Sequence, residues 1–152
     1  MGRDAVRVIL LDETDHLLLV RFRDGVRSWW CAPGGGIEAG ESDEDAARRE
    51  LAEELGLGEF DLGPQVWVRR HGFVLRGERF DQRERYLLAR TRRFEPAPAA
   101  GLPVEHPPED MRWWSRDELA VSSEVFAPRR LPELFAALID SGPPTAPIDV
   151  GV

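Results

Sequence analysis

Three carboxylates with helical spacing are the residues of this chain best placed to do chemistry. Glu50, Glu53 and Glu54 lie at positions i, i+3 and i+4, so on an α-helix they share one face within an arc of about 100°. Like charges on adjacent turns repel each other, and such a face favours a bound cation. Ligands that are all oxygen favour a hard ion, Mg²⁺ or Mn²⁺, over zinc. The spacing alone is equally typical of a solvated acidic helix face, and that alternative stays open at this point.

A glycine-rich segment precedes the carboxylates and favours the metal-site interpretation. Residues 33–36 read Pro-Gly-Gly-Gly, and glycine permits positive φ angles and a close approach of the backbone. A plain turn needs fewer glycines. We therefore expect a tight loop that lies against the acidic face of the helix.

The segment from Gly35 to Leu57 resembles the Nudix box, G-x5-E-x7-R-E-U-x-E-E-x-G-U, in which U is a bulky aliphatic residue. Every specified position of that pattern is matched, by Gly35, Glu41, Arg49, Glu50, Leu51, Glu53, Glu54, Gly56 and Leu57. A match of this length is far more specific than a lone short glycine pattern. The resemblance extends from Val6 to about Leu138 and includes the Trp-x-x-Pro-Gly-Gly approach to the box.

The resemblance implies both a fold and an activity. The fold is of the α/β class, a Nudix-type α/β/α sandwich with a mixed β-sheet. The activity is hydrolysis of a phosphoanhydride bond in a nucleoside diphosphate linked to another moiety, by attack of water on phosphorus. Mg²⁺ is the expected cofactor, and Mn²⁺ is the expected substitute.

The resemblance also assigns roles within the box. Glu50, Glu53 and Glu54 would be metal ligands, and Glu50 is in addition a candidate general base. Glu41 would support the site by pairing with Arg49 and holding the start of the helix. These five residues form the predicted catalytic set.

Acids outside the box are candidates for a further metal ligand. Glu84 comes first, because its same-face neighbours on a predicted strand, Gln82 and Tyr86, are polar and indicate a wet cleft. Pairing of Glu84 with neighbouring arginines is the alternative. Glu105 and Glu109, in or beside a proline-rich loop, are the runners-up, with a plain surface role as their alternative.

Substrate contacts are predicted from arginines, one tryptophan and the glycine loop. Six arginines cluster on a predicted hairpin, where a guanidinium can bind phosphate through two hydrogen bonds. Strand alternation turns half of them away from any ligand. Trp29 is a candidate for stacking on a base, with core packing as its alternative. The predicted substrate-binding set is Trp29, Arg70, Arg83, Gly35 and Gly36.

The elements that must position these residues follow from hydrophobic patterning. The best-defined helix begins at Ser42, which has Asp45 in capping-box position, and ends at Gly56. Strand-like patterns surround it, and two later segments have helical or capping signals. The predicted strands are Val6–Leu11, His16–Arg23, Met111–Trp114 and a long hairpin of Gln65–Leu75 with Arg79–Arg90, and the later signals are a capping box at Ser115 and a helix at Leu131–Asp140.

Length, composition and charge limit the remaining possibilities. The 152 residues, with one cysteine and a net charge of -8, favour one domain at residues 1–141 and a mobile proline-rich tail at residues 142–152. The acidic balance argues against an extended nucleic-acid surface, and the apolar stretches are too short to cross a membrane. Because no secretory signal is evident, we expect a cytoplasmic location.

The expected partner is a small nucleotide-derived substrate, and a homodimer is a further expectation. Two other function classes compete with a hydrolase. One is a Nudix domain that senses a nucleotide without cutting it, and the other is a scaffold. An intact set of box carboxylates favours the hydrolase, since a sensor often loses some of them and a scaffold needs none.

Overall fold

A computed structural model of the chain describes residues 2–75, 77–98 and 107–152. Its described part contains nine strands and three helices. In chain order they are β1 (Gly2–Leu11), β2 (Leu17–Asp24), β3 (Arg27–Cys31), β4 (Gly34–Gly36), α1 (Asp43–Leu55), β5 (Asp61–Leu75), β6 (Glu78–Arg90), β7 (Asp110–Trp114), α2 (Arg116–Val121), β8 (Phe126–Ala127), α3 (Leu131–Ser141) and β9 (Ile148–Asp149).

The strands form one curled, mixed sheet. Seven of them follow the order β8-β3-β2-β1-β6-β5-β9, and β4 and β7 pair with β1 and β2, respectively. Strands β1 and β6 run parallel in register from Gly2↔Asp81 to Leu11↔Arg90, and β5 and β6 form the long antiparallel hairpin that the sequence predicts. By contrast, β1 meets β2 only at Leu11↔Leu17. Residues Ala5, Val6 and Arg7 of β1 pair on that edge with the three glycines of β4. The sheet therefore opens between β1 and β2, and the glycine segment lies in the opening.

Side-chain alternation gives the sheet two buried faces. On one face, Val6 and Val8 of β1 and Leu87 of β6 pack against Ala47 and Leu51 of α1. On the other face, the alternate residues of the same strands join a core that includes α2 and α3. Helices thus cover both faces of a mixed sheet, and the predicted α/β/α sandwich is confirmed. We call these the α1 face and the α3 face.

Helix α1 has the ends that its sequence predicts. The Ser42 hydroxyl accepts a hydrogen bond from the Asp45 backbone N–H at 3.1 Å, which satisfies one of the unpaired donors of the first turn. At the other end Gly56 adopts φ 69°, and its N–H bonds back to the carbonyls of Leu51 and Ala52. A left-handed residue at this position is a common helix stop and favours glycine. The box helix is therefore fixed at both ends.

Part of the C-terminal tail, predicted to be mobile, is paired in the structure. Ile148 and Asp149 form strand β9 beside Trp67 and Val68 of β5, and Val150 packs against the core of the α3 face. These contacts join residues 148–150 to the edge of the sheet.

None of the helices in the described ranges is long and apolar enough to span a membrane.

Candidate active site

Arg49 is the central cation of the box. Its Nε and Nη2 donate to both carboxylate oxygens of Glu41 at 2.7 and 2.8 Å, and its Nη1 donates to Glu50 Oε1 at 2.9 Å. Nη2 also donates to the Gly36 carbonyl at 3.0 Å. The hydrogen bonds from Arg49 and from the Glu38 backbone N–H lower the pKa of Glu41 to about 2. The expected contact between Glu41 and Arg49 is present, and it ties the loop before the helix to the helix itself.

Two glycines of β4 lie where no side chain fits. A Cβ on Gly35 would be 2.6 Å from Glu50 Oε1, and a Cβ on Gly34 would be 2.0 Å from the Val6 carbonyl oxygen. Gly34 also has φ 145°, a conformation that other residues rarely adopt. Because these positions of β4 have no side chain, the backbone lies directly against the Glu50 carboxylate of the box.

Glu54 is a buried carboxylate with an unused oxygen. The residue is 6% exposed, and its Oε1 has no hydrogen-bond partner within the described residues. Burial raises the pKa of Glu54 to about 7, against the lowering effect of Arg7 and of the Gly34 backbone N–H. Burial also raises the pKa of Glu50, where Arg49 opposes it. A buried acid without a partner for one oxygen is costly unless a cation or proton satisfies it.

The chemistry of Glu50, Glu53 and Glu54 fits a hard divalent cation, because all the donors are carboxylate oxygens and one is unsatisfied. In the structure these three side chains do not together enclose a metal-binding site. Across residues 2–75, 77–98 and 107–152, no three acidic, histidine or cysteine side chains are gathered closely enough to hold a metal ion. Arg49 explains this, since it binds Glu50 and lies 3.6 Å from Glu53 Oε2. Ligation of one ion by all three carboxylates would require Glu50 and Glu53 to turn away from Arg49.

Glu84, the first candidate for a further metal ligand, is buried and paired with arginines. Its neighbours on alternate positions of β6, Tyr86 and Leu88, belong to the core of the α3 face, so Glu84 lies on the side of the sheet away from α1. There it is 2% exposed and accepts hydrogen bonds from Arg7 Nε at 2.8 Å and Arg69 Nη1 at 2.7 Å. The alternative of pairing with arginines describes this arrangement, and a metal-ligand role for Glu84 stays a prediction.

Comparison with known proteins identifies the family. The family model described as the NUDIX domain matches residues 1–135. The chain belongs to the Nudix family. It is 30% identical over 130 residues to Nudix hydrolase 25 of Arabidopsis thaliana, a match that covers 77% of this chain and 74% of that protein.

Two further Nudix comparisons bear on sequence and fold separately. The chain is 45% identical over 71 residues to an RNA pyrophosphohydrolase of Saccharophagus degradans, covering 44% of this chain and only 41% of that relative. The crystal structure of a Nudix-family hydrolase from Clostridium perfringens superposes with a TM-score of 0.66 at 19% identity, covering 92% of this chain and 97% of the other. At 19% sequence identity, this structural similarity is evidence for the fold alone.

The predicted substrate-binding arginines lie beside the Nudix box on the exposed end of the sheet. Arg70 and Arg83, which are register partners on β5 and β6, line a surface cavity of about 450 Å³ together with Gly2, Arg3, Asp4 and Asp81. The Arg3 guanidinium reaches Gly36, since a Cβ there would meet Arg3 Nη2 at 2.8 Å. Within the described residues Arg3 and Arg70 form no ion pair with an acid, so both are available to an anionic ligand.

Trp29 is half-buried and packs against Phe22, with ring centroids 6.4 Å apart. It also contacts the core of the α1 face. The structure therefore gives Trp29 a packing role, and its stacking role stays a prediction. Trp30 is buried and packs edge-on against Trp114.

Two residues that lie next to the Nudix box, Arg3 and Arg7, were not predicted from the sequence. Arg7 was detectable, because it interrupts the otherwise apolar run of β1 and such a residue needs a buried partner. Arg3, at the very start of the chain, carries no such signal. Among the other acids, Glu109 pairs with Arg21 and Arg23 at 3.3 and 2.9 Å, whereas Glu105 is outside the described residues.

Proposed function

We propose that this chain is a divalent-metal-dependent pyrophosphohydrolase that cuts a phosphoanhydride bond in a nucleoside diphosphate linked to another moiety. The observation that carries the proposal is the buried Glu54 carboxylate, with one oxygen unsatisfied, on the same helical face as Glu50 and Glu53. A solvated acidic face would leave all three side chains in water. A cation-binding face accounts for the burial, and the complete Nudix box supports the same interpretation.

Glu50, Glu53 and Glu54 would hold Mg²⁺, or Mn²⁺ in its place. Bound there, the ion would neutralise charge on phosphate oxygens and lower the pKa of water. Glu50 is the candidate to accept the proton from the attacking water, and burial raises its pKa above the ordinary value of a glutamate. Arg49 orients Glu50 through its Nη1 and is itself held by Glu41.

The remaining substrate contacts are assigned to the cavity beside Gly36. Arg3, Arg70 and Arg83 place three guanidinium groups there against two carboxylates. Guanidinium groups suit phosphate oxygens, so this region would bind the part of the substrate that extends from the scissile bond. Glu84 and Glu109 stay the described candidates for an acid from outside the box, and each of them pairs with two arginines.

The substrate within this class is open to a direct assay. The relative from Saccharophagus degradans is called an RNA pyrophosphohydrolase, so RNA with a 5′-triphosphate or a cap belongs in the test set. ADP-ribose, a sugar nucleotide, a dinucleoside polyphosphate, NADH and an oxidised nucleoside triphosphate complete it. A cytoplasmic location and a homodimer stay predictions, to be tested by fractionation and by light scattering.

The competing function is a nucleotide sensor that binds without cutting. The deciding experiment incubates purified protein with each compound under Mg²⁺ and under Mn²⁺, and measures both product formation and binding by calorimetry. We expect at least one compound to be hydrolysed. Micromolar binding of a nucleotide with no product over many hours would favour the sensor instead.

A further inference from the structure

We propose that the outer end of the β5–β6 hairpin carries a stacking site for a nucleobase of the substrate, on the α3 face of the sheet. Phe73 and Phe80 provide the stacking surface, and Arg3 binds the phosphate that lies between that base and the box. The proposal rests on the proposed function in taking the ligand to be a nucleotide derivative, and it adds the place where one base of that ligand binds.

The α3 face of the hairpin changes in character along its length. Its inner part, where Trp67 is paired with Tyr86, belongs to the core. Side chains at intervals of two residues along a strand point to the same face. The next pairs outward on this face are Arg69↔Glu84, His71↔Gln82 and Phe73↔Phe80. The face therefore passes from an apolar core through a charged band to an aromatic end.

The aromatic pair, Phe73 and Phe80, is stacked on itself rather than on the core. The two ring centroids are 5.5 Å apart with 17° between the planes, and the His71 ring continues the row at 5.7 Å from Phe73. Both phenylalanines are half-buried, and neither belongs to or packs against the core of the α1 face or of the α3 face. Within the described ranges Phe80 contacts no other ring, so a further planar group can extend the row from it.

The charged band beside the aromatic pair has an excess of positive charge. Arg7 and Arg69 both bind the single carboxylate of Glu84, at 2.8 and 2.7 Å. Arg3 adds a further guanidinium that has no ion pair with an acid in the described part of the chain. Guanidinium groups in such an excess favour an anion, and their planar geometry suits phosphate.

Arg3 lies between the aromatic pair and the box. It is the register partner of Gln82, and Phe80 is two residues further along β6, or about 7 Å. In the other direction its guanidinium lies against Gly36, where a Cβ would meet Arg3 Nη2 at 2.8 Å. The Gly36 carbonyl accepts a hydrogen bond from Arg49 of the box. A phosphate on Arg3 would thus lie next to the box, with the aromatic pair one nucleotide's reach beyond it.

This surface suits a nucleoside 5′-phosphate. Every nucleobase has a π-face that can stack on an aromatic ring, and the phosphate would be bound by Arg3. The site would therefore accept a base without selecting which one. A cross-strand aromatic pair can also serve only to stabilise a hairpin, and the experiment has to separate these two roles.

The test measures binding of AMP to the full-length protein by saturation-transfer NMR. AMP has no phosphoanhydride bond, so turnover does not interfere. In Phe80→Leu, which keeps apolar bulk but removes the ring, AMP should bind at least about fivefold more weakly, and Phe80→Trp should retain the wild-type affinity. Val74→Ala is the matched control, since Val74 is 68% exposed at the same end of the hairpin on the opposite face, and it should bind AMP like the wild type.

Ribose 5-phosphate, which lacks the base, separates stacking from stability of the hairpin. It should bind more weakly than AMP to the wild type and equally to the wild type and Phe80→Leu. Unchanged AMP affinity in Phe80→Leu, or an equal loss for both ligands, would overturn the stacking site. If Phe80→Leu fails to fold, nuclear Overhauser effects between the Phe80 ring and the AMP base in the wild type decide, and their absence would overturn it.

Two further outcomes concern the occupant and the activity. A wild-type dimer that dissociates in Phe80→Leu, as measured by light scattering, would assign the aromatic pair to an interface between copies of the chain and overturn the stacking site. If the wild type hydrolyses none of the compounds while the AMP results hold, the proposed function fails and the stacking site stands.

Discussion

Among single residues, Glu54 carries the charge on which the proposed metal site depends most. Glu54→Gln should reduce turnover by about 100-fold or more, since it removes a ligand charge from the proposed metal site. The melting temperature should hold or rise, because a buried charge beside Glu50 and Glu53 is lost. Steady-state kinetics at saturating Mg²⁺ and a thermal melt give both values.

Glu44→Gln is the matched control for this substitution. Glu44 is on the same helix but pairs with Arg48 on the exposed side, so its charge should not affect turnover. Wild-type rates in Glu54→Gln would remove Glu54 from the metal site. An equal loss in both variants would indicate an effect of helix charge rather than of ligation.

The sequence predicted the residues of the box but not the partners of Glu84. Glu41, Arg49 and the three helical acids lie within 14 positions of one another, so local spacing is enough to bring them together. A strand acid such as Glu84 can face either side of a sheet, and its partner Arg7 is 77 residues away along the chain. Only the parallel pairing of β1 with β6 joins them, and hydrophobic patterning does not specify that pairing.

Among the elements, β4 gives the most specific prediction, because its adjacent glycines, Gly34 and Gly35, are needed for different reasons. Gly34→Ala should destabilise the fold by more than about 3 kcal/mol, since the new methyl group meets the fixed Val6 carbonyl at 2.0 Å and the φ of 145° is unfavourable. In Gly35→Ala the atoms nearest to the new methyl group are those at the movable end of the Glu50 side chain. This variant should keep the fold and lower kcat by about 10- to 100-fold through misplacement of that carboxylate.

Urea unfolding and kinetics of the two alanine variants separate these cases. We expect Gly34→Ala to lose most of the stability. Gly35→Ala should stay folded but show a lower turnover per folded molecule. A fully active Gly35→Ala enzyme would show that the close approach of this glycine to Glu50 has no functional role.

The longer elements were predictable and the shortest were not. Helix α1, the hairpin of β5 and β6, and the capping box at Ser115 follow from caps and periodicity that lie within each segment. Strand β4 is three glycines, and it is a strand only because β1 pairs with it. Strand β9, two residues in a segment predicted to be mobile, likewise depends on the edge of β5, which the tail sequence does not reveal.

At the scale of the whole molecule, the Glu84 cluster predicts how stability changes with acid. Because the folded-state pKa of Glu84 is lowered from 4.5 to about 2, its contribution is complete above pH 4.5 and is lost as pH falls toward 2. The full contribution is about 3 kcal/mol, of which about 2 kcal/mol should be lost by pH 3. Urea unfolding at pH 6, 4 and 3 measures it.

Arg69→Met provides the comparison for the acid dependence. With one of the two arginines removed, the pKa of Glu84 should lie closer to its ordinary value, so the variant should lose less stability between pH 6 and pH 3 than the wild type. Arg116→Met, which removes a surface partner of Asp140, should leave the acid dependence nearly unchanged. Parallel pH profiles for the wild type and Arg69→Met would contradict the buried network.

The central claim is metal-dependent attack of water on the phosphorus of a nucleoside diphosphate derivative. The most direct measurement is turnover of the best substrate in ¹⁸O-labelled water, followed by ³¹P NMR, with Mg²⁺ and with excess EDTA. We expect ¹⁸O in one phosphate-bearing product with Mg²⁺ and no product with EDTA. Turnover that persists in excess chelator, or label that appears only on a product without phosphate, would contradict it.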